Sequence, residues 1–262
     1  MIHFTSGELT GWVMLFLWPF VRILAFVAVA PVFGENTLSR LGKIGVAAAL
    51  ALIVAPTLEG LPDVPPVSYA GIWLLVQQVL IGSAIGLVMR VVFAAVQAAG
   101  DFVGLQMGLG FASFYSAAMG TNAMVLSQLL NTFAMLFFLA FDGHLIMVRI
   151  LAETFTTLPI GAGGLNAQGW HMAALWGGEV FTAGVGLALP LIAALLTINL
   201  AMGILNRASP QLSIFSVGFP LTLLSGLIVL SFMVPDLGAV FSRMFAAGLD
   251  SMARVVAALA GG

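Results

Sequence analysis

The stretch Tyr69-Ala-Gly-Ile-Trp-Leu-Leu-Val-Gln-Gln-Val-Leu-Ile-Gly-Ser-Ala-Ile-Gly-Leu-Val-Met-Arg90 carries no charge before Arg90. At about 1.5 Å per residue, a helix of this length crosses a hydrocarbon core of roughly 30 Å. Its apolar residues run together and do not alternate, so a spanning helix is predicted and a barrel strand is not. The helical pattern continues to about Met107. Gly82 and Gly86 form one small-xxx-small pair, and Gly100, Gly104 and Gly108 extend another, which lets helices approach closely. Gln97 and Asp101 lie seven and eleven residues after Arg90 and share its face at 3.6 residues per turn. That face lines water, meets a partner, or marks a solvated exit from the membrane.

The rest of the chain has the same character. Of 262 residues, 61% are hydrophobic and 7% charged, whereas soluble domains run at roughly 45–50% and about 25%. There is no cysteine, which excludes disulfides, thiolate metal sites and cysteine nucleophiles. The eight Lys and Arg are scattered and the net charge is −2, so nucleic acid finds no basic surface. The first ten residues hold Glu8 and no Lys or Arg, so the first apolar run is expected to stay in the mature protein.

That first run, Trp12 to Phe33, is interrupted by Pro19 and carries Arg22 near its middle. An arginine at mid-depth costs at least about 2.5–3.5 kcal/mol unless it faces protein or water. Two readings stand: an inward arginine paired with Glu179 or Asp101, or one bonded to backbone carbonyls beside the Pro19 kink. The run Ile44 to Ala55 is short for a span and reads as half of a hairpin packed on protein. Residues 57–68, with Pro62, Pro65 and Pro66, read as a stiff connector.

After the glycine-rich stretch 100–122, residues 123–141 form an apolar span with Ser127, Gln128, Asn131 and Thr132 as interhelical hydrogen-bonders. Asp142-Gly143-His144 ends it, and residues 149–168 read as a loop. Residues 170–205 are too long for one span and are expected to break at Gly177-Gly178-Glu179 and at Pro190. The turn Asn206-Arg-Ala-Ser-Pro-Gln211 then returns the chain through residues 212–234, bent at Pro220, to close a hairpin. Residues 236–260 are predicted as a separate amphipathic helix. Leu237, Phe241, Phe245, Leu249, Met252 and Val256 share its apolar face, with Arg243, Asp250 and Arg254 opposite, which suits docking to a membrane surface or a partner. The fold class is an all-α membrane protein of about six hydrophobic helical segments in hairpins, several of them broken.

The stretch Gly100-Asp-Phe-Val-Gly-Leu-Gln-Met-Gly-Leu-Gly-Phe-Ala-Ser-Phe-Tyr-Ser-Ala-Ala-Met-Gly-Thr-Asn122 has Asp101 as its only charge. Glycine-rich backbone is costly to order, and irregular backbone at membrane depth survives only inside protein or beside a water-filled cavity. It is therefore read as the moving or obstructing part of a membrane passage, or else as an ordinary interfacial loop. No nucleotide-binding, metalloprotease, hydrolase or paired-carboxylate pattern is present, and no His cluster. No catalytic residue, metal site or cofactor is expected.

Several stretches resemble one family, the FliR/SctT type III export-gate proteins. They are Trp73-Leu-Leu-Val-Gln-Gln-Val-Leu-Ile-Gly82, Gly104-Leu-Gln-Met-Gly108 with Phe111-Ala-Ser-Phe114, and Thr157-Leu-Pro-Ile-Gly161. Leu205-Asn-Arg-Ala-Ser-Pro-Gln-Leu-Ser-Ile-Phe215 with Gly218-Phe-Pro-Leu-Thr222 is the most specific, and Trp18-Pro-Phe-Val-Arg-Ile-Leu-Ala25 fits the same pattern. The resemblance covers about residues 8–235 and implies a multi-pass protein of the bacterial inner membrane, in the flagellar basal body. There it would assemble with FliP-like and FliQ-like subunits, and with an FlhB-like protein, into a channel for unfolded flagellar proteins.

The resemblance further implies a FliP-like portion over about 1–170, a FliQ-like hairpin over about 171–235 turning at Asn206, Arg207 and Pro210, and a C-terminal helix over 236–262. The segment 104–122 would plug the channel. Phe111, Phe114 and Tyr115 would form the obstruction, and Gly108, Gly110 and Gly120 would let it fold and yield. Arg22, Arg90, Asp101 and Glu179 are the charges expected to be buried. Tyr115-Ser116-Ala117 departs from the acidic-plus-proline pattern of the family at this point, which puts a charge-based role there in doubt. The same role in a virulence secretion system is one alternative, and a small-solute secondary transporter is another.

Overall fold

The computed structural model describes residues 6–34, 38–58, 60–62, 64–110, 125–161, 163, 165–208 and 218–261. Among them every regular element is helical: α1 (Ser6–Val29), α2 (Arg40–Val54) with a 3-10 turn at Ala55–Thr57, α3 (Tyr69–Gln106), α4 (Val125–Ala140), α5 (Gly143–Thr157), α6 (Ala167–Trp176), α7 (Glu179–Ala208) and α8 (Phe219–Ala260). Among the described residues four helical stretches are long and apolar enough to cross a membrane: Arg40–Thr57, Tyr69–Gln106, Ala167–Ala208 and Phe219–Ala260. The pair α4–α5 passes only when its halves are taken together, and α1 contributes the shorter apolar stretch Val13–Val29. The all-α class and the order of apolar segments agree with the sequence pattern, while several bounds differ.

Local chemistry explains most of the boundaries. The Ser39 hydroxyl caps α2 by accepting from the Gly42 N–H at 3.1 Å. The Asn166 side chain does the same for α6, accepting from the Gln168 N–H at 2.8 Å. Asp142, with φ 55°, takes the left-handed conformation that ends α4 and lets α5 begin at Gly143.

Four expectations are corrected here. Residues 149–157 are helix, because Met147, Leu151, Thr154 and Phe155 form a buried stripe at helical spacing. Pro190 does not break α7, which runs unbroken from Glu179 to Ala208 with the proline on its exposed side. Pro220 lies at the second residue of α8, so it begins a helix instead of bending one. Finally, the C-terminal helix is not separate: α8 continues through Pro235 to Ala260.

The chain forms two compact units. The first comprises α1, α2, α3 up to Val91, α5, α6 and α8 from Ala247. Its core holds Trp18, Arg22, Ile23, Phe26, Ile85, Met89, Met147, Leu151 and Met252, all fully buried. Helices α1 and α3 touch backbone to backbone: a Cβ on Gly82 would fall 2.1 Å from the Arg22 carbonyl oxygen, and one on Gly86 3.0 Å from the Ala30 nitrogen. The small-xxx-small pair of the sequence is this contact. The end of α8 lies on α6, where the Asn166 N–H donates to the Leu259 carbonyl at 3.1 Å. Met252, Val255, Val256 and Leu259 are buried there, so this part of the predicted docking face packs on its own chain.

The second unit comprises α3 from Val92, α4, α7 and α8 up to Ala246. Phe93 and Phe245 stack at its centre and Phe138 meets both edge-on, with ring centroids 5.0–5.7 Å apart, and Phe137 and Phe241 extend the cluster. Such pairs add roughly 0.5–1.5 kcal/mol each beyond their buried area. Gly100 packs directly on α4, where a Cβ would lie 2.4 Å from the Ser127 Cα, and the Ser127 hydroxyl donates to the Gln97 carbonyl at 2.9 Å.

Candidate functional site

Two places concentrate the polar and glycine chemistry singled out in the sequence: the buried arginine of the first unit, and the end of α3 in the second.

Arg22 is fully buried. Its Nε donates to Gln78 Oε1 at 2.7 Å on α3. One terminal nitrogen donates to the Thr154 carbonyl at 2.9 Å and the Thr154 hydroxyl at 3.1 Å, and the other to the Leu158 carbonyl at 2.9 Å. The guanidinium carbon lies 4.4 Å from the centre of the Phe155 ring. The carboxylate partners expected of it, Glu179 and Asp101, are not among these groups. Thr154 and Leu158 are instead at the C-terminal end of α5, where the negative end of the helix dipole lies. A planar fork of five N–H donors spans acceptors on two helices at once, which a lysine ammonium does not. The backbone-carbonyl reading is the one the structure contains, although the carbonyls belong to α5 and not to the Pro19 kink.

Of the other charges expected to be buried, Arg90 is exposed on this chain, and Asp101 and Glu179 are half-buried. The reason for Arg90 is geometric: Val88, Met89, Val91 and Val92 take the inward positions around it. Glu179 sits in the first turn of α7 and accepts from the Thr182 hydroxyl at 2.6 Å, where it complements the positive end of that helix.

The second place is where α3 stops. After Gln106 the chain turns at Met107–Leu109, and Gly108 has φ 83°, a conformation that favours glycine. A Cβ there would meet the Phe219 ring at 3.0 Å. Met107 is buried and its side chain fills the space over Gly226, where a Cβ would fall 2.7 Å from its Cγ, Sδ and Cε atoms. The Thr222 hydroxyl reaches the Met107 carbonyl at 3.4 Å. Gly110 is half-buried beside Leu105. Phe111, Phe114, Tyr115, Gly120 and the turn residue Pro210 lie outside the described residues. Asn206 and Arg207 close α7, half-buried and exposed respectively.

Sequence reading missed Gln78, Thr154 and Trp176. Gln78 stood inside an apolar run and Thr154 inside an expected loop. The Trp176 indole N–H donates to the Val88 carbonyl at 2.9 Å and ties α6 to α3, and nothing in its sequence context signals that. Asn131, expected to bond between helices, has its Oδ1 buried without a hydrogen-bond partner among the described residues. Among the described residues no group of three His, Asp or Glu is placed to hold a metal ion.

The family model described as "Bacterial export proteins, family 1" matches residues 13–248. The chain is 46% identical over 259 residues to the flagellar biosynthetic protein FliR of Pectobacterium carotovorum subsp. carotovorum, and 41% identical to that of Escherichia coli (strain K12); each match covers 99% of both chains. Against the FliR of Bacillus subtilis (strain 168) it is 28% identical over 245 residues, covering 92% of this chain and 94% of that one.

Proposed function

Because the chain belongs to the FliR family of bacterial export proteins, we propose that it is a non-enzymatic subunit of the flagellar protein-export gate in the inner membrane. The observation that carries this is similarity to FliR proteins along almost the whole length of both chains. The surface is consistent with it. The most apolar window of α3 is 67% buried within the chain, but those of the Ala167–Ala208 stretch and α8 are only 22% and 17% buried. Phe181, Leu189, Leu196, Leu200 and Ile204 on α7, with Leu224, Ile228 and Phe232 on α8, therefore stand uncovered. Apolar helical faces of this extent need lipid or other subunits against them.

The partners of this reading are FliP-like and FliQ-like subunits and an FlhB-like protein, and the cargo is unfolded flagellar protein. The portion before about residue 170 acts as a FliP-like unit, and the α7–α8 hairpin as a FliQ-like one. The segment 104–122 is the plug: Phe111, Phe114 and Tyr115 obstruct the passage while Gly108, Gly110 and Gly120 let it yield. A virulence secretion system is a second setting for the same role, and the flagellar names of the relatives favour the first.

Deleting the gene in its host and measuring flagellin in the culture medium tests the reading. Loss of secreted flagellin, restored by a plasmid copy, is expected; undiminished secretion overturns it. For the plug, removal of residues 111–115 in membranes that also hold the partners should admit small ions, and an intact seal would refute that part alone.

A further inference from the structure

Between Tyr69 and Arg90, helix α3 turns one side to its own chain and another outward. Gly82 and Gly86 pack on α1, and Gln78, Ile85 and Met89 are buried beside them. Ile72, Trp73, Val76, Val79, Leu80 and Leu87 stand exposed. At 3.6 residues per turn these six share roughly a third of the helix circumference.

The two ends of this exposed face differ from its middle. Tyr69, the first residue of the helix, is 91% exposed, and Trp73 follows one turn later on the same face. Trp18, by contrast, is fully buried, and Trp170 and Trp176 are half-buried. The Ser68 hydroxyl accepts from the Gly71 N–H at 3.0 Å, so the helix begins with a capped end beside Tyr69. At the other end Arg90 is exposed, and among the described residues no carboxylate pairs with it. No charge stands between the two ends. Beyond Arg90 the same face turns polar, with Gln97 exposed and Asp101 half-buried.

The spacing decides what covers this face. The helix rises about 32 Å from Tyr69 to Arg90 and about 26 Å from Trp73, at roughly 1.5 Å per residue. A hydrocarbon core is roughly 30 Å thick. Tyr and Trp rings settle at headgroup level, and an arginine on a long stem reaches lipid phosphate. A protein surface imposes no such separation on the polar ends of its partner. The faces of α7 and α8 lack this bracket: neither helix contains Tyr or Trp. The uncharged run of α7 between Glu179 and Arg207 is about 40 Å long.

We propose that the exposed face of α3 from Tyr69 to Arg90 lies against lipid, with Tyr69 and Trp73 in one headgroup layer and the Arg90 guanidinium on the phosphates of the other. The face shared by Arg90, Gln97 and Asp101 is then the solvated exit of α3 from the membrane. The proposal rests on the reading of the chain as an inner-membrane protein.

The natural absence of cysteine gives the test a clean background. Single variants Val67→Cys, Val76→Cys, Leu80→Cys, Leu87→Cys and Gln97→Cys are purified with their partners, labelled with a nitroxide and placed in vesicles of phosphatidylethanolamine and phosphatidylglycerol. Access of oxygen and of a polar nickel chelate to each label is read from electron spin resonance saturation. Hydrocarbon admits oxygen and excludes the chelate, so the ratio of oxygen to chelate access should be highest at L80C and at least about ten-fold lower at V67C and Q97C. V76C and L87C should fall between, and they carry the same comparison if L80C fails to assemble. Labels at 76, 80 and 87 shielded from both reagents overturn the proposal, because a subunit then covers the face. Chelate access there equal to that at V67C overturns it too, because the face is then in water. Loss of the unaltered chain from the membrane fraction overturns the membrane reading itself. Failure of that chain to restore flagellin secretion in a deletion strain overturns the export role and leaves the access ratios standing, so the failures are distinguishable.

Discussion

Replacing Arg22 by Met keeps most of the side-chain volume and removes every donor. Two buried acceptors then lose their partner: Gln78 Oε1 and the Leu158 carbonyl. The Thr154 carbonyl keeps the Leu158 N–H at 2.9 Å, so it is not orphaned. Each unsatisfied buried acceptor costs about 1–3 kcal/mol, and part is offset because a cation no longer has to be desolvated. The expected net loss is about 3 kcal/mol. Arg22→Lys keeps the charge but reaches fewer of the acceptors, so about 1–2 kcal/mol is expected for it. The double change R22M/Q78M should recover roughly 1 kcal/mol relative to R22M, because one orphaned acceptor disappears with its partner. Denaturant titration of the purified assembly, followed by retention of this chain in the complex, measures all three. A methionine variant as stable as the parent refutes the α5-cap account of Arg22. So does a lysine variant no better than methionine.

Gly100→Ala places a methyl against the backbone of Ser127, 2.4 Å from its Cα. Neither helix can yield by a rotamer change, so a loss of about 3 kcal/mol or more is expected in the same titration. Gly169→Ala meets the Leu259 nitrogen at 2.6 Å and its side chain at 2.5 Å; the end of α8 should come away from α6 and become sensitive to protease, whereas Ala257→Gly on the exposed side should not.

How much of this was legible follows from where the signal resides. The α3 span, the close helix approach at Gly82 and Gly86 and the break at Gly177–Gly178 all follow from side-chain polarity and size, which a sequence displays; that α1 is the helix approached does not. The partners of Arg22 do not, because two of its acceptors are main-chain carbonyls that carry no residue signature. Helix α5 was hidden by Arg149 and Glu153, which are exposed, although the stripe Met147, Leu151, Thr154 and Phe155 kept its period. Pro190 reads as a breaker by residue type alone, yet it lies inside a continuous helix, where neighbouring helices and local adjustment absorb a missing hydrogen bond. The apolar face after residue 236 was correct as a periodicity, but periodicity does not say whether the covering surface is another molecule or the same chain. At the glycine-aromatic segment, the sequence marked Gly108 but gave no hint that Met107 beside it fits over Gly226, a contact between residues far apart in the chain.

The central claim, that this chain works as one subunit of a multi-protein export gate, is tested most directly by purifying it from its own host through an affinity tag and imaging the product by electron microscopy. The account predicts a single helical assembly in which FliP-like and FliQ-like subunits cover the exposed faces of α7 and α8. A chain that purifies alone, with those faces occupied by lipid or detergent, would contradict it.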